Sequence, residues 1–320
     1  MTLVDIPHAK KEIGYDAPII SLGSCFADNI TQRLQSAFFR VSSNPFGTLY
    51  NPQSIANCLQ LLQRAKDSSV DEVMACIPIV EHGGLWHSML HHGSFSYSDK
   101  DVLLQRVRES IKSGEKQLEQ AKVVIITFGT AWVYEQNGTV VSNCHKIPAR
   151  EFSRRCMCVE EIVKVYREVL QLPLLRGKHV IFTVSPIRHQ KDGMHGNQIS
   201  KSVLLLAVEQ LRDLEGDLEG DLELDYFPSY DIVLDELRDY RFYADDMLHP
   251  SAKAVEYIWE RFKQTYFSKE TMEDVVGLQR LYTELHHTPL HPETEEYRRF
   301  RGHLEEEVKR WRMKYPWIRL

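Results

Sequence analysis

Pro18-Ile-Ile-Ser-Leu-Gly-Ser-Cys-Phe-Ala-Asp28 is the stretch around which the chain is organised. The apolar run to Leu22 reads as a short buried strand broken at Gly23. Ser24 and Cys25 then stand at a sharp turn, and Phe26, Ile30 and Leu34 mark the inward stripe of an amphipathic helix. A small nucleophilic side chain therefore sits where a strand meets a helix. The carboxyl end of a parallel strand opens into the ligand crevice of an α/β fold, and a helix N-terminus offers N–H groups and partial positive charge that stabilise anions and lower a thiol pKa. A buried cysteine behind a turn glycine fits the same residues, since free Cys is among the most buried residue types.

Far along the chain, Tyr243-Ala-Asp-Asp-Met-Leu-His-Pro-Ser251 places Asp246 three residues before His249, ahead of an expected helix over residues 251–267. At this spacing the carboxylate can fix the imidazole tautomer and leave its other nitrogen free as a base. A helix cap with a surface histidine is the plainer alternative.

With both stretches in view, Gly23-Ser-Cys-Phe-Ala27 resembles the signature of the GSCFA family, which is grouped with the SGNH (GDSL-type) hydrolases. Asn44-Pro-Phe-Gly47 with Tyr50-Asn-Pro52, Asn143-Cys-His-Lys146, Ser185-Pro-Ile-Arg-His189 with Ser200-Lys201, and Asp245-Asp-Met-Leu-His-Pro250 extend the match in the family's order. The resemblance implies an SGNH-like, flavodoxin-like fold without a cofactor. Aligning Gly23-Ser-Cys on the superfamily's Gly-Asp-Ser puts Cys25 at the nucleophile position and Ser24 where an aspartate is customary. Asp246 and His249 become the acid and base of a triad. The resemblance also implies that Gly47 supplies an oxyanion-hole N–H, with Asn44 as a side-chain donor. Ala131 stands where the superfamily carries an oxyanion-hole asparagine; Asn143, His145 and Lys146 could replace it, or could form a polar hairpin tip beyond Asn137-Gly138.

The chain has 320 residues, 43% hydrophobic and 26% charged, with a net charge of -6. These values fit a globular protein and argue against a general nucleic-acid binder, which would be basic. Residues 1–10 lack the pattern of a secretory signal, and no apolar run reaches membrane-spanning length, so a cytoplasmic location and no membrane partner are expected. The cysteines at 25, 58, 76, 144, 156 and 158 are scattered, and Cys156-Met-Cys158 has no second pair, so reduced thiols and no zinc are expected. The histidines at 82, 87, 91 and 92 fall in the least legible region, 70–98, which reads as a crevice-lining loop without metal.

Strand and helix patterns alternate: helices over 52–66, 100–120, 159–170 and 197–211, and β-branched strands over 122–128, 178–184 and 224–228. The acidic repeat at 214–221 reads as an expanded surface loop. Arg188 and His189 follow a strand end, where an arginine suits a carboxylate, phosphate or sugar hydroxyls; a surface ion pair is the alternative for Arg188. Residues 1–268 are read as a three-layer α/β/α sandwich on a parallel sheet of about five strands. Residues 269–320 form a C-terminal helical extension whose stripe of Phe300, Leu304, Val308 and Trp311 must be covered, by docking within the chain or in a homodimer. The expected function is hydrolysis of an acyl ester, small or carbohydrate-borne, by Cys25 or Ser24 with Asp246 and His249. An acyltransferase on the same site and an inactive carbohydrate- or acyl-binding module are the alternatives.

Overall fold

The computed structural model describes residues 2–217 and 221–318, so part of the 214–221 repeat lies outside the described residues. In chain order the first half runs β1 (Ile19–Gly23), α1 (Cys25–Ser36), β2 (Val41–Ser43), α2 (Pro52–Asp67), α3 (Val70–Met74), β3 (Ile79–His82), β4 (Leu85–Ser88), β5 (Ser96–Tyr97), α4 (Lys100–Gln120) and β6 (Val123–Phe128). Then come β7 (Trp132–Gln136), β8 (Thr139–Val141), β9 (Ser153–Cys156), α5 (Val159–Val169), β10 (His179–Val184), α6 (Gly193–Arg212), β11 (Glu223–Phe227), α7 (Ser229–Asp231), α8 (Ala252–Tyr266), α9 (Lys269–Leu285) and α10 (Glu295–Lys314).

Five strands form one parallel sheet in the order β11-β10-β6-β1-β2. Counted along the chain this is the 2-1-3-4-5 order of flavodoxin-like folds, with the strand order reversing between β1 and β6. The register pairs Gly23 with Thr127 and Val184 with Phe128, so three strands end level at that point. Both faces are covered, which is why β1, β6 and β10 are buried at every position and mostly apolar. Ile20, Leu22, Val124, Ile126 and Phe182 pack under α2, α4, α5 and α6. Ile19, Val123, Ile125 and Ile181 pack under α1, α8 and α9.

The C-terminal helices join this second core. Leu304 and Trp311 are buried, with Phe300 and Val308 packed partly against them, in one cluster with Ile19, Phe26 and Val275. Trp311 lies over Gly277, and Lys314 and Tyr315 both donate to the Asp274 carboxylate. The apolar stripe of α10 is thus covered within the chain. No described helix is long and apolar enough to cross a membrane.

Region 70–98 departs from the expected loop. It holds α3 and the antiparallel sheet β3-β4-β5, built around histidines. The His91 ring bridges the hydroxyls of Ser88 (2.7 Å) and Ser110 (3.2 Å) and stacks on Phe46 at 4.1 Å. His87 bridges Ser96 Oγ and the His82 carbonyl and packs on His145 at 4.6 Å. Imidazoles whose nitrogens all find oxygen partners can be buried as polar core, which the surrounding sequence did not disclose. The β7–β8 hairpin turns at Asn137 and Gly138, both with positive φ, as a two-residue primed turn requires.

Two predictions follow from this packing. Burial, then the neighbouring His145, pulls His91 down to about 3, and burial pulls His145 to about 4. Below about pH 6.5 the unfolded chain binds protons that the folded chain refuses, so stability falls as pH drops from 6.5 towards 4. The urea midpoint should fall over that window and His91→Asn should flatten the fall; an unchanged slope refutes the assignment. A Cβ at Gly277 would stand 2.6 Å from the Trp311 ring. Gly277→Val should therefore destabilise by about 1–3 kcal/mol, the overpacking outweighing any gain in helix propensity, read as a lower Cm in denaturant unfolding.

Candidate active site

At the end of β1 the backbone is dictated by a near collision. Gly23 has φ +134°, and a Cβ there would be driven into the Thr127 carbonyl of the neighbouring strand, so only glycine fits. The Ser24 amide donates to that same carbonyl (3.2 Å), and the Gly23 amide donates to Asn44 Oδ1 (2.8 Å). Ser24 caps α1, is 1% exposed, and its hydroxyl accepts the Phe26 amide. Cys25 opens the helix and is only partly buried. As the first helical residue its amide has no intrahelical acceptor. Of the two candidate nucleophiles, Cys25 is therefore the accessible one.

Both residues line a cavity of about 260 Å³ together with Tyr50, Arg188, His189 and His249. Its position, outside the carboxyl ends of β1 and β6 where the strand order reverses, is where open α/β sheets bind ligands. His249 Nδ1 pairs with Asp246 Oδ2 at 2.6 Å, while Asp246 Oδ1 accepts the amides of Leu248 and His249 at 2.9 Å each. Those amide bonds, then the imidazole itself, hold the Asp246 carboxyl down at about 2. The carboxylate is thus locked by its own loop, and the ring it orients has no partner on Nε2 among the described residues. The Arg188 amide donates to the Leu248 carbonyl, tying this loop to the 188–191 segment across the cavity.

The other expected site residues fare differently. Asn44 spends its side chain on structure, accepting from Gly23 and donating to Asp28 Oδ1 (2.9 Å). The Gly47 amide closes its own turn on the Asn44 carbonyl (2.7 Å), and its Cα packs against His92. Neither offers a donor to the cavity; they brace the turn that presents Cys25. The amides after β6 are spent as well: Gly129 and Thr130 donate to the Tyr50 carbonyl, and Ala131 donates to Ser200 Oγ at 2.7 Å. Asn143 lines an adjoining cavity of about 290 Å³ that shares Tyr50, His189 and Lys191 with the first. His145 does not reach it. Its ring is buried, with Nε2 on the Ser88 carbonyl, and Lys146 is exposed and lines neither cavity. Cys158 stands at the N-cap of α5, where its amide donates to the Glu161 carboxylate (2.9 Å).

Sequence reasoning missed the floor of the crevice. Lys201, 1% exposed, runs between the ends of β6 and β10 and donates to the Gly129 carbonyl (2.5 Å) and the Ser185 carbonyl (2.6 Å). Burial lowers it to about 7, with Asp192 and Cys25 opposing. Only its place in Ser200-Lys201 near a helix start was visible beforehand. Tyr50 was legible only as the residue before an Asn-Pro helix start, yet it separates the two cavities. Among the described residues the one grouping of His and carboxylates at metal-ligand spacing is His179, Glu223 and Asp225. It lies at the opposite, amino-terminal end of β10 and β11, where His179 pairs with Asp225 (2.8 Å).

The electrostatics correct one expectation. Burial, then the Asp28 carboxylate, push the Cys25 thiol up from its ordinary value; the helix-start amides and Lys201 only partly offset them. Burial, then Lys201, pull His189 down to about 4, so it is neutral at pH 7. Cys25 should accordingly alkylate with a midpoint above the roughly 8.5 of a free thiol. Peptide mapping must separate it from the exposed Cys76 and Cys158, and a midpoint below about 8 for Cys25 would contradict this electrostatic picture.

Comparisons of the whole chain with curated proteins and with solved structures each returned no match. Residues 18–262 match the model of the GSCFA family, a span that contains β1 with its Gly-Ser-Cys turn, every strand of the parallel sheet, and the Asp246–His249 loop. The chain belongs to the GSCFA family.

Proposed function

We propose that this protein is an acyl-ester hydrolase that works through a Cys25 thioester. The observation that carries the reading is that the Asp246–His249 pair, with its ring already oriented at 2.6 Å, opens on the same cavity as the accessible thiol at the start of α1. A raised thiol pKa fits a nucleophile that stays protonated until a base takes its proton during attack, as in serine–histidine chemistry.

In this mechanism Cys25 Sγ adds to the ester carbonyl while His249 Nε2 takes the thiol proton. The oxyanion meets the Cys25 amide at the helix N-terminus, whose partial positive charge opposes it. Collapse breaks the carbon–oxygen bond, and the imidazolium returns its proton to the leaving alkoxide. Water, deprotonated by His249, then attacks the thioester; collapse breaks the carbon–sulfur bond, the imidazolium returns the proton to Cys25 Sγ, and the acid leaves. Asp246 keeps the ring in the tautomer that both halves need.

A binding module is the second reading, favoured by one observation. The amides of Gly47, Gly129, Thr130 and Ala131 are all spent internally, leaving few donors for an oxyanion. Hydrolysis of short-chain p-nitrophenyl esters decides between the two. The hydrolase reading expects measurable turnover that Cys25→Ala abolishes and that His249→Ala lowers by about 10²–10⁴-fold, the contribution of general acid–base catalysis. Turnover equal in wild type and Cys25→Ala refutes the Cys25 thioester, whereas no turnover across esters of different chain length supports the binding module.

A further inference from the structure

The second cavity, behind Tyr50, plays no part in the steps above, yet its wall carries unused donors and cations. Every side-chain oxygen acceptor of Asn51, Asn143 and Asp192 on its wall is already used inside the protein. Asn51 Oδ1 accepts the Ser54 amide (2.8 Å), and Asn143 Oδ1 accepts the His145 amide (2.8 Å). The Asp192 carboxylate holds Arg154 on one oxygen and the Thr130 hydroxyl on the other. What these side chains leave for a ligand is donors: the NH₂ groups of Asn51 and Asn143, for which no partner exists among the described residues.

The cations point the same way. Lys191 is exposed, makes no ion pair among the described residues, and lines both cavities while lying 4.8 Å over the Tyr134 ring. Arg154 stacks on Trp132 at 4.3 Å, and its Nε–H is buried without a partner among the described residues. Asp192 neutralises only one of the two cations. In a chain of net charge -6, an unpaired lysine held by an aromatic ring beside two free amide donors is a place built to receive negative charge. Sugar hydroxyls need acceptors as well as donors, and each side-chain oxygen of Asn51, Asn143 and Asp192 already holds a donor from the protein.

From this geometry we infer that the cavity behind Tyr50 binds an oxyanion group, a carboxylate or a phosphate, whose adjoining apolar part lies against Trp132 and Tyr134. Placing that group on the substrate beyond the ester cleaved at Cys25 rests on the hydrolase reading; the anion site itself does not.

The test uses the full chain carrying Cys25→Ala, which cannot form a thioester, and calorimetric titration with phenyl phosphate, benzoate and the neutral phenyl glucoside. Both anions should bind, more weakly as salt rises, and their ranking tells phosphate from carboxylate. Lys191→Met in the same background should weaken them about tenfold, the loss expected for a charge-assisted contact. Lys146→Met, a nearby exposed lysine outside both cavities, should leave them unchanged. The inference is overturned if neither anion binds, if phenyl glucoside binds as tightly as they do, or if Lys191→Met has no effect. Because nothing turns over in this protein, that failure leaves any ester hydrolysis by the wild type standing.

Discussion

The ends of parallel strands are where an α/β fold must settle its backbone hydrogen bonds, and in this chain a buried lysine settles them. Lys201 joins the Gly129 and Ser185 carbonyls, which terminate the neighbouring strands β6 and β10. On the other side of β6, the Tyr50 carbonyl takes the amides of Gly129 and Thr130, and the Thr127 carbonyl takes the Ser24 amide. Buried peptide groups left unpaired would each cost free energy comparable to a lost hydrogen bond, so these contacts let three strands stop abruptly at one level. The abrupt edge is what turns their last side chains into the wall of a crevice.

The same closure decides the chemistry of the crevice. A Cβ at Gly129 would lie 2.9 Å from the Tyr50 carbonyl oxygen and 3.2 Å from Ser24 Cβ, so β1, β6 and the 50–51 segment meet with no room for a further side chain. Ser24 is sealed beneath, and Cys25, one residue on, emerges at the start of the helix. A buried cation near the thiol and a carboxylate at Asp28 pull its pKa in opposite directions, and desolvation decides the sign. In the proposed reaction a thiol tuned in this way depends on its base, which gives the locked Asp246–His249 pair more weight than the helix dipole.

Behind the crevice, a layer of histidines replaces what would ordinarily be apolar packing. His87, His91 and His145 are buried against serine hydroxyls and carbonyls, and His145 and Lys146 adopt positive φ to follow Asn143. Non-glycine residues in that region store strain, which here is held by the His145 hydrogen bonds and leaves Asn143 on the wall of the second cavity.

The chain's own sequence determined the architecture. The β-branched runs at β6 and β10, the apolar stripes of α1, α2 and α8, and the glycine after Leu22 specify strand–helix alternation because period and burial are local properties of residue order. The Asp246–His249 pairing was legible too, since a three-residue spacing on one loop needs no distant partner to form. What only the tertiary structure decided is which polar atoms remain available. Asn44 and Gly47 looked like donors, but their hydrogen-bonding capacity is consumed by Gly23, Asp28 and their own turn. Lys201 was legible only as part of Ser200-Lys201 near a helix start, but lies beneath the site. Residue type fixes how many hydrogen bonds a group can make, whereas the partners that exhaust or spare that capacity come from chain segments far apart in sequence and adjacent only after folding.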